Sequence, residues 1–523
     1  MYERLAQFSR SLHHHADVAL DGGEETIEVS VPASAAASWY EKVRNTLDYQ
    51  EEHLLRRNAI ERILRRYRGG GETPERMARE LLKELVWAKY LPNKTIPLSL
   101  AKSLSVLLEK YEPLFGAVAQ QKADRERMEM WLLDVVATEI EDTLAPPVSD
   151  EALASFMYED MRPRVEWDAA LGVSEDAKDL RLYTAIHRTL LKNNTATLRF
   201  RLLTLYYPAW AGVNTPAALS EQLAANIVPI ISTIEGEIFH PLTDRLSRMI
   251  RRKAGMFRVV RDAVLHAKDP SAILSDPAAL DDAVKEALHH RTEDFRVRLR
   301  RTTVRAVLFL FLTKMLLALV LEVPYDLFIV QDASWYPLLV NITFHPIFLA
   351  FIVLTLSIPE KQNAEDYQAA VRAIAIGAPH QLLAVRMKRE TRSAWWHVFL
   401  ALYGVLFILV YGAIGAVLHQ FGFHALSIGL FLFFLSLVTF FGIRIRSSVK
   451  DIVASDARNG FIGTVFDIVL LPIVRAGAWL SIRVAKINVF IYFFDFIIEA
   501  PLKVAIEFVE SWLTFVREKK EEI

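Results

Sequence analysis

Cysteine is missing from all 523 positions of this sequence. Its absence excludes disulfide bonds, metal sites built from thiolates and cysteine nucleophiles. The signature motifs of common enzymes are missing as well, since the sequence contains no nucleotide-binding P-loop, no G-x-G-x-x-G, no G-x-S-x-G and no H-E-x-x-H. These absences argue against an ATP-driven pump and against the common hydrolases.

An excess of charge of one sign is also missing. Lysine and arginine total 61, and aspartate and glutamate total 62, so net charge favours no particular class of partner. Hydrophobic residues nevertheless make up 52% of the chain while charged residues make up 24%. The first value is high for a soluble protein and the second is ordinary for one, which indicates a chain with a soluble part and a membrane part.

Long hydrophobic runs are missing before Thr302 and frequent after it. A helix needs about 20 apolar residues to cross a bilayer. Four runs reach or nearly reach that length, at 306–323, 336–358, 396–418 and 423–443. They predict two transmembrane hairpins, within 304–358 and 395–444, which are joined by a connector at 359–394.

Basic residues are missing from the turns inside both hairpins. They cluster instead before the first span, in the connector and after the fourth span. Because basic flanks stay in the cytoplasm, we expect both termini to be cytoplasmic and the protein to be integral to the cytoplasmic (inner) membrane. The first twenty residues lack the apolar core of a secretory signal, so the first span should act as an uncleaved signal.

The first three hundred residues predict a large cytoplasmic helical domain. Single helices are expected over 98–119 and 216–266, the second with kinks at Pro229 and Pro241 as an option, while only 24–32 alternates as a strand or an extended linker would. Pro146 and Pro147 mark the best internal boundary, which divides the domain into residues 1–145 and 146–303. The second part should end in a stalk helix that starts near Pro277 and enters the membrane.

The last segment, 445–523, is as apolar as the spans but is interrupted by charges. One polar stripe with helical spacing is typical of an amphipathic helix in the headgroup plane or against the bundle. The stripe consists of Asp495, Glu499, Lys503, Glu507 and Glu510. In the alternative, 461–482 and 487–500 are a fifth and a sixth span, which would bury Arg475 near the middle of the bilayer.

Polar residues inside the spans are concentrated in the first hairpin. Lys314 lies near the centre of the first span, where a charge costs at least about 2.5 kcal/mol. Glu322 should lie at the depth between Asn341 and His345, which share a face of the second span. These four residues are our candidate intramembrane cluster. Two interpretations stay open: a path for ions or protons, and hydrogen bonds that hold the hairpin together.

Two groups of arginines outside the spans are candidate contacts for anionic lipid headgroups. They are Arg245, Arg248, Arg251, Arg252, Arg298, Arg300 and Arg301. No recognised nucleic-acid module or interleaved aromatic residues accompany them, so we expect no nucleic-acid partner.

Two Glu-x-x-His pairs have the spacing found in carboxylate-bridged di-metal helix bundles. They are Glu237 with His240 and Glu286 with His289. Chance alone would produce Glu-x-x-His pairs in a chain of this length, and two pairs are barely more than that. We therefore expect neither a metal nor another cofactor.

The predicted fold is an all-α integral membrane protein. It combines an N-terminal cytoplasmic multi-helix domain, a four-span bundle of two hairpins and C-terminal amphipathic interfacial helices.

The large soluble part and the scarcity of polar residues in the spans favour a non-enzymatic scaffold or interaction protein. Its partners should be the bilayer with its anionic lipids and an unidentified protein, with a homo-oligomer as a further option. The alternatives are an oligomeric channel or transporter with a polar path along the first hairpin and, less favoured, a helical-bundle metalloenzyme.

Membrane topology is the first testable consequence of the charge pattern. Reporter fusions in the 359–394 connector should report the cytoplasmic face, whereas fusions in the 419–422 turn should report the opposite face, because only the first is basic. Protease treatment of sealed vesicles checks the same assignment. A connector exposed on the non-cytoplasmic face would contradict the predicted orientation.

Overall fold

The structure is a computed structural model. It describes residues 3–13, 25–29, 34, 38, 41, 52–212, 214–267, 273, 276–331, 335–355, 360–376, 383–385, 395–449, 461–486, 508 and 512. These residues are almost entirely helical, and four of the helices are long and apolar enough to cross a membrane. The predicted all-helical class with four candidate spans is therefore confirmed. The chain divides into two compact units, an N-terminal unit made mainly of 6–250 and a membrane unit made mainly of 251–488.

Short helices build the N-terminal unit. They are α1 Glu3–His13, α2 Glu52–Gly69, α3 Pro74–Trp87, α4 Leu98–Glu109, α5 Glu112–Ala119, α6 Arg125–Leu144, α7 Val148–Met161, α8 Glu175–Thr189, α9 Thr195–Tyr206, α10 Ala217–Ala225, α11 Ile227–Ile238 and the first part of α12 Pro241–Leu265. One continuous core joins α2 to α6 and α9 to α11, and the largest fully buried side chains in it are those of Trp131, Trp210 and Tyr111. Burial of this size gives the unit a hydrophobic core of its own.

Two predicted helices are divided because proline removes a backbone donor. The helix expected over 98–119 is α4 and α5, and Pro113 cannot donate to the carbonyl of Glu109, where α4 ends. The helix expected over 216–266 is α10, α11 and α12. Pro229 lies in the first turn of α11, and Pro241 opens α12. Prolines therefore start new helices here and do not merely kink a long one.

Among the described residues, strand structure is one pair that the sequence did not indicate. Val165–Trp167 (β1) and Leu383–Val385 (β2) pair in parallel, with Glu166 opposite Ala384. Three residues are too few to show an alternating pattern. In the described part of the 24–32 window, residues 25–29, Thr26 forms an isolated bridge with Pro97.

The membrane unit contains the remaining helices. They are α13 Pro277–Leu317, α14 Trp335–Leu354, α15 Glu360–Ile376, α16 Trp395–Gln420, α17 Ala425–Val449 and α18 Phe461–Lys486. The helix α13 is capped by Asp276, whose side chain accepts a hydrogen bond from Ala278 N, and it runs without interruption into the first span. It continues through two π-helical turns, Ala318–Glu322 and Asp326–Val330.

The four candidate spans extend over Pro277–Val330, Trp335–Leu354, His397–Gln420 and Ala425–Arg446. A fifth arises by composition only if α10 and α11 are counted together, although they meet at 77°. The isoleucines at 227, 230 and 234 of α11 are buried in the core of the N-terminal unit. We therefore treat α10 and α11 as part of that core.

The connector helix α15 docks on the stalk part of α13. Arg372 makes a bidentate ion pair with Asp281, with Nε 2.6 Å from Oδ1, and Gln368 Nε2 donates to the carbonyl of Asp281 at 3.0 Å. A planar guanidinium paired in this way fixes orientation as well as distance. The connector is therefore held against the stalk along part of its length.

The helix α18 packs against the fourth span. A Cβ atom built on Gly477 would overlap Ser436 O and lie 2.7 Å from Phe440 Cβ, so the two helix backbones meet at this glycine. The guanidinium of Arg475 lies 5.0 Å from the ring centre of Tyr403 in α16. The polar stripe predicted at 495–510 and the proposed sixth span at 487–500 lie outside the described residues.

Replacing Gly477 by alanine should destabilise the membrane unit. The added methyl group overlaps the backbone of α17, and overpacking of this kind costs about 1–3 kcal/mol. We expect a lower unfolding midpoint in a thermal melt of the protein in detergent. Gly412→Ala is the control, because a Cβ atom at that position meets nothing within 4 Å. Equal midpoints for the two variants would contradict the close approach.

Candidate functional site

The four residues of the candidate intramembrane cluster are all buried. Lys314 and Glu322 are each 2% exposed, Asn341 is 1% exposed and His345 is 0% exposed. Lys314 is in α13, Glu322 ends the first π-helical turn, and the other two share one face of α14. Their burial in an apolar bundle requires that their hydrogen bonds be made inside the protein.

Asn341 bridges the two charged residues of the cluster. Lys314 Nζ donates a hydrogen bond to Asn341 Oδ1 at 2.5 Å, and Asn341 Nδ2 donates to Glu322 Oε1. Lys314 and Glu322 are eight residues apart, so an amide on the facing helix can reach both. The ammonium also lies 4.3 Å from the ring centre of Phe434, an arrangement that favours a cation. The two opposite charges therefore compensate each other through one amide.

His345 connects α14 to α17. Its Nε2 lies 2.9 Å from the carbonyl oxygen of Phe431 in α17, and its Nδ1 lies 3.3 Å from Asn341 O in its own helix. No hydrogen bond joins its ring to Glu322 among the described residues. The sequence placed His345 beside Glu322, but the structure directs its side chain to another helix.

The second carboxylate oxygen of Glu322 differs from the first. Glu322 Oε2 is buried and has no hydrogen-bond partner among the described residues. Glu322 ends one π-helical turn and Asp326 begins the next, and Asp326 is 9% exposed. Such turns interrupt the regular bonding of a helix and recur at functional sites. Asp326 was not among our candidates, although its spacing of four from Glu322 indicates a shared face.

The candidate lipid contacts are mostly exposed. Arg248, Arg251, Arg252, Arg298, Arg300 and Arg301 are exposed and Arg245 is half-buried. Arg300 and Arg301, just before the first span, border an open depression of about 430 Å³. The other residues that line it are Val297, Val304 and Arg305. Apolar and basic side chains alternate there at the end of the stalk that enters the first span.

The candidate metal ligands are engaged elsewhere. Glu237 Oε2 accepts from Arg181 Nε at 3.4 Å, and His240 Nδ1 accepts from the backbone of Leu242 at 3.2 Å. Glu286 Oε1 lies 3.9 Å from Nε2 of His290, and the ring centre of His289 lies 6.2 Å from that of His290. In the part of the chain that the structure describes, no three His, Asp or Glu residues are grouped as metal ligands.

A second buried pair, which the sequence did not indicate, lies in the N-terminal unit. Lys110 Nζ lies 2.5 Å from Glu139 Oε1 and also donates to the carbonyls of Trp210 and Gly212. Glu139 accepts further bonds from Tyr111 Oη and Gly212 N. Burial raises the pKa of Glu139 and lowers that of Lys110, and each partner's charge opposes the effect of burial on the other. The network fixes the loop after α9.

No protein-family model matches this chain, and comparisons with curated proteins and with solved structures find no match either. Any functional assignment therefore depends on the geometry described above.

Removing one charge from the intramembrane cluster should cost more stability than removing both. Lys314→Met leaves Glu322 without a counter-charge, and Glu322→Gln does the same to Lys314, at about 3–5 kcal/mol each. The double variant has neither charged group to bury, so it should recover most of the stability that each single variant loses. Unfolding of the purified proteins in detergent measures this coupling.

Thr343→Ala is the matched control, because the Thr343 hydroxyl donates only to Leu339 O in its own helix. Its unfolding midpoint should stay close to that of the unsubstituted protein. Strictly additive losses in the double variant would show that Lys314 and Glu322 do not compensate each other.

Proposed function

We propose that this protein is a non-enzymatic, membrane-anchored scaffold or interaction protein. The observation that carries the proposal is how the polar residues of the spans are used. Lys314, Asn341 and Glu322 bond one another across the first hairpin, and His345 bonds to a carbonyl of another span. Hydrogen bonds between helices of this kind hold a bundle together. They supply an anchor and leave recognition to the N-terminal unit.

The N-terminal unit has the properties of a binding platform. It has its own hydrophobic core, with several side chains of α3 and α6 completely inaccessible to solvent, and ion pairs such as Arg56 with Glu141 join its helices. A rigid surface of this kind loses little entropy when a partner binds. The partner would be a protein, and a second copy of the chain is the alternative.

The orientation and the lipid partner belong to the same proposal. Both termini lie in the cytoplasm, the bilayer is the inner membrane, and the C-terminal segment is amphipathic and interfacial. The basic flanks support this orientation. The exposed guanidinium groups of Arg300 and Arg301 support binding of anionic headgroups at the start of the first span.

A channel or transporter is the second candidate, and one observation favours it. The unpartnered Oε2 of Glu322, at the end of a π-helical turn, could accept a proton or a cation that enters the bundle. A path of this kind would require Lys314 or Glu322 to change its charge or partner during transport.

Ion flux into proteoliposomes separates the two candidates. A scaffold should give no proton or cation flux above that of empty liposomes, because its intramembrane charges are bonded to each other through Asn341 and serve only to hold the bundle together. The Lys314→Met and Glu322→Gln double variant should retain the same cross-linked partner set in cells as the unsubstituted protein. Flux that is present in the unsubstituted protein and lost in the double variant would replace the scaffold by the transporter. The Thr343→Ala variant is again the control.

A further inference from the structure

A groove of about 870 Å³ lies in the N-terminal unit, between α7 and α8. One wall is a single face of α7, on which Glu151, Tyr158 and Glu159 recur at helical spacing, and the opposite wall includes Asp176 and Tyr183 of α8. Its volume falls within the range of sites for small molecules. All of its lining residues belong to the N-terminal unit, well apart in sequence from the spans.

Carboxylates dominate the charged groups that line this groove. Five Asp or Glu side chains line it and no lysine or arginine does. Three of the five form ion pairs with arginines that do not line the groove: Asp179 with Arg162, Glu151 with Arg201 and Glu237 with Arg181. The other two, Glu159 and Asp176, have no ion-pair partner among the described residues. The groove therefore carries two uncompensated negative charges.

A buried polar atom without a partner lies at the bottom of the same groove. His187 is 0% exposed, and its Nε2 makes no hydrogen bond within the described part of the chain. The nearest charged oxygen is Glu151 Oε2 at 3.8 Å. Burial and the nearby Arg201 charge lower the pKa of His187 to about 3, so its ring is neutral at physiological pH and offsets none of the carboxylates. Asn193 Nδ2 donates to His187 Nδ1 at 3.3 Å, so Nε2 carries the ring proton, and a buried donor of this kind is costly unless a ligand or water accepts from it.

Aromatic side chains complete the lining. The rings of Tyr158, Tyr183 and Tyr206 border the groove, together with the exposed side chain of Leu205. Aromatic rings attract cations more strongly than they attract neutral polar groups. The combination of uncompensated carboxylates, tyrosines and apolar surface matches a molecule that is positively charged at one end and apolar at the other.

We propose that this groove binds a small organic cation, with an ammonium or guanidinium group on an apolar or aromatic body. The cationic group lies near Glu159 and Asp176, and the body lies against the tyrosines. The site is independent of the intramembrane cluster and goes beyond the scaffold function, because it gives the N-terminal unit a small-molecule ligand.

Titration calorimetry of the full chain in detergent tests the site with two probes of equal size. We expect 2-phenylethylamine, which is a cation at neutral pH, to bind saturably, and 2-phenylethanol, which is neutral, to bind at least about tenfold more weakly. The Glu159→Gln and Asp176→Asn double variant should bind the amine about three to ten times more weakly, because it removes both uncompensated charges. Both positions are exposed, so the variant should fold, and its circular dichroism spectrum checks this.

Glu175→Gln is the matched control. Glu175 is next to Asp176 in the chain, but it pairs with Lys178 and does not line the groove. Its affinity for the amine should equal that of the unsubstituted protein. The proposal is overturned if the amine shows no saturable binding, if the alcohol binds as tightly as the amine, or if the double variant binds the amine unchanged.

Discussion

A charged group that leaves water must find its partners inside the protein, and this constraint governs the membrane unit. Lys314 meets it with the amide of Asn341, and Glu322 meets it with the other end of the same amide. The bridge requires that α13 and α14 lie side by side in one register, because a shift of one turn would separate all three groups. Compensation of buried charge therefore also specifies how the hairpin is assembled.

The N-terminal unit meets the same constraint with more hydrogen-bond partners for each buried charged group. Lys110 reaches a carboxylate and two backbone carbonyls, and Glu139 accepts bonds from a tyrosine and a backbone amide. The network of the N-terminal unit is richer because the backbone groups of a loop take part in it. In the spans the backbone groups already bond within helices, so the charges depend on the side chain of Asn341, and His345 shares a carbonyl, Phe431 O, that belongs to a helix.

Proline and glycine have opposite effects on the helices. Prolines divide helices in the N-terminal unit, whereas a glycine lets two helices of the membrane unit meet. Pro113, Pro229 and Pro241 each open or interrupt a helix of the N-terminal unit, because the ring removes a donor. Gly477 allows α18 to meet α17 at the backbone, because it has no side chain. Pro229 and Pro241 could be recognised in the sequence, but their effect was underestimated as kinks, and the break at Pro113 was not predicted. The role of Gly477 could not be recognised, because it depends on a helix distant in sequence.

Hydrophobic length and helical periodicity were sufficient, by themselves, to determine an all-helical chain with four candidate spans and to select Lys314, Glu322, Asn341 and His345. These are local properties, since a span of about 20 apolar residues is visible in the sequence of that segment alone. The tertiary structure decided that Asn341 joins both charges, that His345 turns to Phe431, and that acidic faces of α7 and α8 enclose a groove. It also paired β1 with β2, which are more than two hundred residues apart. Each of these depends on contacts between distant segments, and no local pattern encodes which segments meet.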